Sequence, residues 1–325
     1  MTPQQETRIR AWHSILSREI GIGLVLTEDE RSGDFVRFCE SLSRLAPKIS
    51  VVREEEESRG IPAIRISRSL IFEALPSGTE LEPFLEAISL IDKKETKIPP
   101  HIRSRLDRME LPASLRLYVS PQCPFCPATV RELVPLSLGN ELVRLTITDA
   151  GLFPDMARSD NVRSVPTLLL DGNFRWTGAV RAGDLAEILA TRDPSDPGVA
   201  SMERMIIEGN AFVLAEMMLE KKTLFPGFVE LLAHGHFTVR LGAMAAMEEI
   251  AGRNMKMAAG VSEPLWERFS SAEVQVRGDI LHMMGEAAGR DILPKLENIA
   301  AEEEDEEVRE AAKEAAGKIR ERAGF

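Results

Sequence analysis

The stretch SLRLYVSPQCPFCPATVRELVPLSL, residues 114–138, holds two of the three cysteines in a chain of 325 residues. Its apolar run SLRLYVS predicts a strand, and the apolar spacing from Cys123 through VRELVPLSL predicts a helix. Cys123 then stands at a helix N-terminus, where unpaired backbone N–H groups and the helix dipole favour an anion. A thiol so placed is expected to have a pKa of roughly 3.5–7.5, and the thiolate is the attacking species. Cys123 is therefore the expected nucleophile. Cys126, one turn inward, is the expected resolving thiol that closes the internal disulfide. Pro124 and Pro127 both suit a first helical turn, which asks for no N–H partner. Two other readings compete: half of a zinc site, or an inert remnant. The zinc reading lacks a second Cys pair or a histidine cluster to complete four ligands.

Around this stretch the elements alternate, and they do so twice. The first pass runs through strand IGLVLTE, helix DFVRFCESLSRLA, strand KISVVRE, strands in GIPAIRIS and LIFEALPSG, and helix ELEPFLEAISLI. The second runs through SLRLYVS, the Cys123 helix, strand ELVRLTIT, a short helix near LFPDMARSD, strands VPTLLLD and FRWTGAV, and helix AGDLAEILAT. Each reads β-α-β and then β-β-α, with a right-handed crossover giving a parallel pair and a hairpin adding antiparallel strands. That order is the thioredoxin fold, in tandem. In such folds the proline opening the third strand is cis and faces the cysteine pair, and its backbone pairs with an incoming substrate strand. SVPT (164–167) matches it, so Val165, Pro166 and Thr167, with Pro124 and Phe125 of the motif, are the expected substrate contacts.

The first pass lacks a cysteine pair: its strand-to-helix turn reads TEDERSGDF. Cys39 lies inside the next helix on the face of Phe35, Phe38 and Leu42, where a free cysteine acts as a small buried hydrophobe. GIPAI offers a cis-proline at Ile61-Pro62, architecture without chemistry. KIPPHIRSRLDRMELP (97–112) reads as a connecting helix, REEEES (53–58) as a solvated loop and DPSDPG (193–198) as a linker.

Beyond residue 199 the pattern is helical and repeats. FTVRLGAMAAMEEIAG, VQVRGDILHMMGEAAG and EEVREAAKEAAGKI align on Val239-Arg240, Val276-Arg277 and Val308-Arg309, spaced by 37 and 32 residues. Shorter helices lie between them, the signature of a helical solenoid. The Val-Arg start and the trailing small residues resemble HEAT repeats. Ten of the thirteen methionines fall here, at helical spacing that suits core filling better than a binding groove. AEEEDEEVRE (301–310) suits a helix start and a soluble end cap. His234 and His236 read as a turn. The expected fold class is thus α/β, tandem thioredoxin folds over 1–98 and 113–192, followed by an all-α HEAT-like solenoid over 199–325.

Hydrophobic residues make up 44% and charged residues 28% of the chain, and the net charge is −12. The composition fits a globular protein, and the acidity argues against a nucleic-acid partner. No apolar run approaches a membrane span, and MTPQQETRIRAWHS lacks a signal-peptide core, so no membrane partner and a cytoplasmic location are expected. In that reducing compartment a close cysteine pair reads as catalytic, redox-sensing or metal-binding.

Residues 1–192 resemble the N-terminal tandem-thioredoxin domain of the alkyl hydroperoxide reductase flavoprotein family. The likeness rests on LPSGTELEPFLEAISLI (75–91), CPFCP (123–127) and TDAGLFPDMARSDNVRSVPTLLLDG (148–172). The resemblance implies that the first fold carries no active cysteines, and that the domain passes electrons from a flavoprotein core to a peroxiredoxin. It also implies an acidic residue of the first fold beside the cysteines, and Glu80 matches that position. An ordinary first-turn glutamate is the other reading of Glu80. CPFC departs from the family's motif toward glutaredoxins and thermophile disulfide oxidoreductases. Leu117 stands where thioredoxins bury an aspartate, which leaves Glu80 as the best proton acceptor for Cys126. No GxGxxG fingerprint occurs, so no cofactor and no metal are expected within the chain. A separate flavoprotein or thiol reductase must supply electrons.

The sequence thus points to a thiol-disulfide oxidoreductase acting on a protein disulfide through Cys123 and Cys126, with the helical domain docking a partner. An oxidase or isomerase is a rival within the same chemistry. A redox-sensing adaptor, in which the solenoid is the working surface, is the rival outside it.

Overall fold

In the computed structural model the described residues are 1–55, 60–94, 96–172, 174–193 and 197–322. They form two compact units, Met1–Arg192 and Asp193–Phe325.

The first unit opens with helix α1 (Pro3–His13), capped by Thr2, whose hydroxyl accepts from the Gln5 amide. The polar run PQQETRIRAWH buries only Ile9 and Trp12, so apolar periodicity scarcely marks it. Strand β1 (Ile20–Leu26), helix α2 (Ser32–Leu45) and strand β2 (Ile49–Glu55) follow, then β3 (Ala63–Ser67), β4 (Leu70–Glu73) and helix α3 (Leu81–Lys93). After the short helix α4 (Pro100–Leu106), the order recurs. It runs through β5 (Ala113–Val119), α5 (Cys126–Gly139), β6 (Val143–Asp149), α6 (Pro154–Ser159), β7 (Thr167–Leu170), β8 (Phe174–Thr177) and α7 (Ala182–Thr191). The connecting helix is shorter than its expected span, 97–112. It starts at Pro100, whose fixed φ suits a first turn, and ends before the turn at Asp107 and Arg108.

The strands make one eight-stranded sheet in the order β2-β1-β3-β4-β6-β5-β7-β8. Each half repeats a parallel pair flanked by antiparallel strands, and the halves join where β4 pairs parallel with β6. Domains expected as separate, 1–98 and 113–192, therefore share one sheet and one continuous apolar core. All four residues of β4 are buried, Glu73 included. Its carboxylate accepts from the Thr148 hydroxyl at 2.8 Å and pairs with Arg116, both from the second half. A carboxylate so buried needs these partners.

Two sequence expectations for the first half change. Arg53–Glu55 of the REEEES segment belong to β2, while 56–58 lie outside the described residues. The cis bond expected at Ile61-Pro62 is not there: among the described residues only Val165-Pro166 is cis. An X–Pro bond prefers trans by about 0.5–1 kcal/mol, and Gly60, at φ +71°, turns the chain just ahead of it. Cys39 is 1% exposed on the apolar face of α2, and burial pushes its thiol up to about 12.

The second unit is all-α: α8 (Val199–Ile207), α9 (Ala211–Lys221), α10 (Phe228–Leu232), α11 (Phe237–Arg253), α12 (Met255–Ala258), α13 (Ser262–Phe269), α14 (Val274–Ala287), α15 (Leu293–Glu302) and α16 (Glu306–Arg322). Of the linker read at 193–198, residues 194–196 lie outside the described residues. Long helices α11, α14 and α16 pack in succession, with shorter helices between them. Each begins with a Val-Arg pair whose valine is buried. Arg240 donates to the carbonyls of His234 and Gly235, and Arg309 donates to those of Glu303 and Glu304, the same offsets in both. Arg240 also pairs with Asp279 at 2.7 Å, and Arg277 pairs with Glu303, so each arginine ties its helix to the next segment. Seven methionines are buried in this unit's core, among them Met202, Met247 and Met283. Asp305 accepts from the amides of Glu307 and Val308 and so caps α16. His234 and His236 do form a turn, the His236 amide donating to His234 Nδ1 at 3.1 Å.

Candidate active site

Strand β5 delivers the chain to a turn at Ser120–Gln122, and the Cys123 amide donates to the Ser120 carbonyl at 3.0 Å. Helix α5 begins at Cys126, so Cys123 and Pro124 precede the first turn rather than lie in it. Pro127 is inside that turn, where a missing N–H costs nothing. The first free amide of the helix, that of Cys126, donates to Cys123 Sγ at 3.2 Å. A sulfur in this position is aimed at by the orphan amides and the positive end of the dipole.

Cys123 is 8% exposed and Cys126 fully buried. Pro124 and Phe125 between them are exposed, Phe125 to 71%. Burial pushes the Cys126 thiol well above its ordinary value, and the hydrogen bond with Cys123 and the nearby charge of Glu80 push it further. Cys123 Sγ lies 3.6 Å from the Val165 carbonyl, at the cis Val165-Pro166 bond. Val165 is half-buried and Pro166 buried. Thr167 is brought to the same place by β7, but its hydroxyl donates to the Ser164 carbonyl at 2.7 Å and is turned away from any ligand.

Glu80 comes from the other half. It ends a 3-10 turn, Gly78–Glu80, just ahead of α3, and is 2% exposed. Neither carboxylate oxygen has a hydrogen-bond partner among the described residues. Burial and then the Asp149 carboxylate raise its pKa to about 7, while Arg131 pulls the other way. Asp149 ends β6 and accepts from the amides of Gly151 and Leu152; burial raises its pKa too. Leu117, fully buried on β5, supplies no acid of its own.

Two residues that sequence reasoning missed hold Glu80 in place. Thr79 donates its amide to the Pro121 carbonyl at 3.0 Å and its hydroxyl to the Cys123 carbonyl at 3.0 Å. Gly78 sits at φ +54°, and a Cβ there would meet the Pro121 carbonyl oxygen at 2.3 Å. The signal was the Ser-Gly pair of LPSGTE, a turn in sequence whose long-range partner no local pattern reveals. Among the described residues no cluster of three His, Cys, Asp or Glu side chains could hold a metal.

Residues 114–190 match a thioredoxin domain family. Residues 1–192 form a tandem thioredoxin fold. Its first half brings an acid, and its second half the cysteines. The NTD_N/C domain of the alkylhydroperoxide reductase AhpF from Enterococcus faecalis superposes with a TM-score of 0.52 at 20% identity, covering 58% of this chain and all of that one. A protein disulfide oxidoreductase from Aeropyrum pernix superposes with a TM-score of 0.52 at 16% identity, covering 58% of this chain and 92% of that one. In sequence, the AhpF-type alkyl hydroperoxide reductase of Pseudomonas aeruginosa is 24% identical over 193 residues, 58% of this chain and 36% of that protein. A Bacillus subtilis NADH dehydrogenase is 23% identical over 190 residues, 57% of this chain and 36% of that protein. The chain spans little more than a third of the length of these curated relatives.

Proposed function

We propose that the protein is a thiol-disulfide oxidoreductase that exchanges electrons with a protein disulfide through Cys123 and Cys126. The observation that carries this reading is the convergence on Cys123 Sγ. A helix-start amide lies at 3.2 Å and the carbonyl before a cis-proline at 3.6 Å. An outer sulfur with amides behind it, and a backbone edge for a substrate strand beside it, suits disulfide exchange.

In the reducing direction the Cys123 thiolate attacks one sulfur of the substrate disulfide. That S–S bond breaks, a mixed disulfide forms, and the departing substrate thiolate takes a proton from water. Cys126 then gives its proton to the Glu80 carboxylate and attacks Cys123 Sγ. The second substrate thiolate leaves, and two electrons have passed to the substrate as the Cys123–Cys126 disulfide closes. A Glu80 pKa of about 7 lets it accept this proton and release it again near neutrality. Phe125, 71% exposed beside the nucleophile, gives the substrate an apolar contact.

Reduction of the Cys123–Cys126 disulfide falls to a separate flavoprotein or thiol reductase, and the partner disulfide is that of a peroxiredoxin or a protein like it. The relatives named for alkyl hydroperoxide reduction support this choice of partner. The helical unit is read as HEAT-like and as the docking element for that partner, in the cytoplasm. Support comes from its recurring Val-Arg starts and its exposed apolar residues, among them Phe212, Phe237 and Leu241. Turnover of insulin disulfides with dithiothreitol tests the enzymatic reading: the wild type should accelerate it and Cys123→Ser should not. Wild-type turnover no faster than dithiothreitol alone would leave an adaptor, not an enzyme.

A further inference from the structure

A groove of about 400 Å³ runs between α3 and α5, on residues that the thiol chemistry does not use. Its volume falls within the roughly 300–1,000 Å³ of small-molecule sites. The floor is apolar: Pro83, Ala87 and Leu90 from α3 face Val134 and Pro135 from α5. One end holds Arg131, which grips Glu86 through Nε at 2.6 Å and Nη2 at 3.0 Å. The other end holds Lys93 and Lys97, for which no carboxylate partner is found among the described residues. Lys93 lies two helical turns beyond Glu86, about 10 Å along the axis. Pro135, having no N–H, leaves the Arg131 carbonyl without the donor a regular helix would give it.

The charge here runs against the rest of the molecule. Three cations line the groove against one described carboxylate, Glu86, on a chain of net charge −12. Since Glu86 already engages Arg131 through both oxygens, the free positive charge lies at the lysine end. An apolar trough about two helical turns long with ammonium groups at one end matches a molecule with an apolar body and one terminal anion.

We propose that the α3/α5 groove binds a small amphipathic carboxylate, its chain along Ala87, Leu90 and Val134 and its carboxylate on Lys93 and Lys97. The site is separate from Cys123 and does not depend on the redox reading.

The test uses the full-length protein and sodium octanoate, followed by methyl NMR shifts of Ala87, Leu90 and Val134. Octanol supplies the chain without the charge, and acetate the charge without the chain. Octanoate should give saturable shifts at these methyls, with octanol and acetate both much weaker. The double variant Lys93→Gln/Lys97→Gln, checked for an unchanged circular dichroism spectrum, should weaken octanoate on the order of tenfold for the two lost charge-assisted contacts. Equal binding of octanol, an unaffected double variant, shifts confined to other surfaces, or no saturation below the onset of octanoate self-association would each overturn the proposal. A groove that ignores octanoate but accepts a protein segment falls under that last outcome and counts against it.

Discussion

The Thr79 hydroxyl donates to the Cys123 carbonyl at 3.0 Å, across 44 residues of sequence and from one half of the tandem fold to the other. Through that bond the half without cysteines grips the loop carrying the nucleophile, and the next residue along, Glu80, is set beside Cys126. Thr79→Val should cost about 1 kcal/mol of stability, the usual net worth of such a bond. Gly78→Ala should cost more, because a Cβ at φ +54° meets the Pro121 carbonyl oxygen at 2.3 Å. Urea denaturation of both variants checks the order, and a Gly78→Ala protein as stable as the wild type would contradict the clamp.

Glu80 titrates near 7 when folded, against an ordinary 4.5. Because the folded pKa is the higher one, its contribution to stability is complete below about 4.5 and is lost as pH rises through about 7. Glu80→Gln removes the buried charge, so the variant should gain on the wild type across that window, by up to about 3 kcal/mol at pH 8. The same substitution should lower the Cys126 thiol pKa, since the carboxylate charge is one of the influences that raise it. Denaturation at pH 5 and pH 8, with thiolate absorbance titration, tests both. A stability difference that does not change with pH would place Glu80 in contact with water.

Arg131 is the one cation that opposes the rise in the Glu80 pKa. Its guanidinium is shared with Glu86 on the surface at 2.6 Å. Arg131→Met should move the Glu80 titration upward, and Glu86→Gln should move it downward by freeing the arginine. Carbon-detected NMR of the Glu80 carboxyl measures both, and shifts of the same sign would break the linkage.

Much of this was legible in the sequence, and for identifiable reasons. CPFC and the Val-Pro opening of β7 are local motifs, and the alternation of β-α-β with β-β-α writes each half's topology. The Val-Arg starts likewise mark α11, α14 and α16. What the sequence did not show is where two distant segments meet. The β4–β6 pairing hides because LIFE and VRLTITD carry no mark of each other; only Glu73, a carboxylate inside an apolar strand, hints that partners wait across a seam. Thr79 and Gly78 hide for the same reason. Helix α1 escapes periodicity because just two of its side chains are buried.

The two compact units divide at Arg192 and Asp193. Residues 1–192 hold every residue of the proposed site, so that fragment should reduce a small aromatic disulfide nearly as fast as the whole chain. Against the protein partner its kcat/KM should fall, because the helical unit no longer raises the local concentration of the partner disulfide. The helical unit carries 15 Lys and Arg against 23 Asp and Glu, which favours a partner with a basic or neutral face. Loss of small-disulfide turnover on truncation would show that the helices help build the site.

The central claim is the division of roles between Cys123 at 8% exposure and Cys126 at none. Mixed-disulfide capture with the two single serine variants measures it most directly. Cys126→Ser should accumulate a covalent complex with the protein substrate through Cys123, released by dithiothreitol, while Cys123→Ser should form none. Equal capture by both variants, or capture by Cys123→Ser alone, would contradict the account.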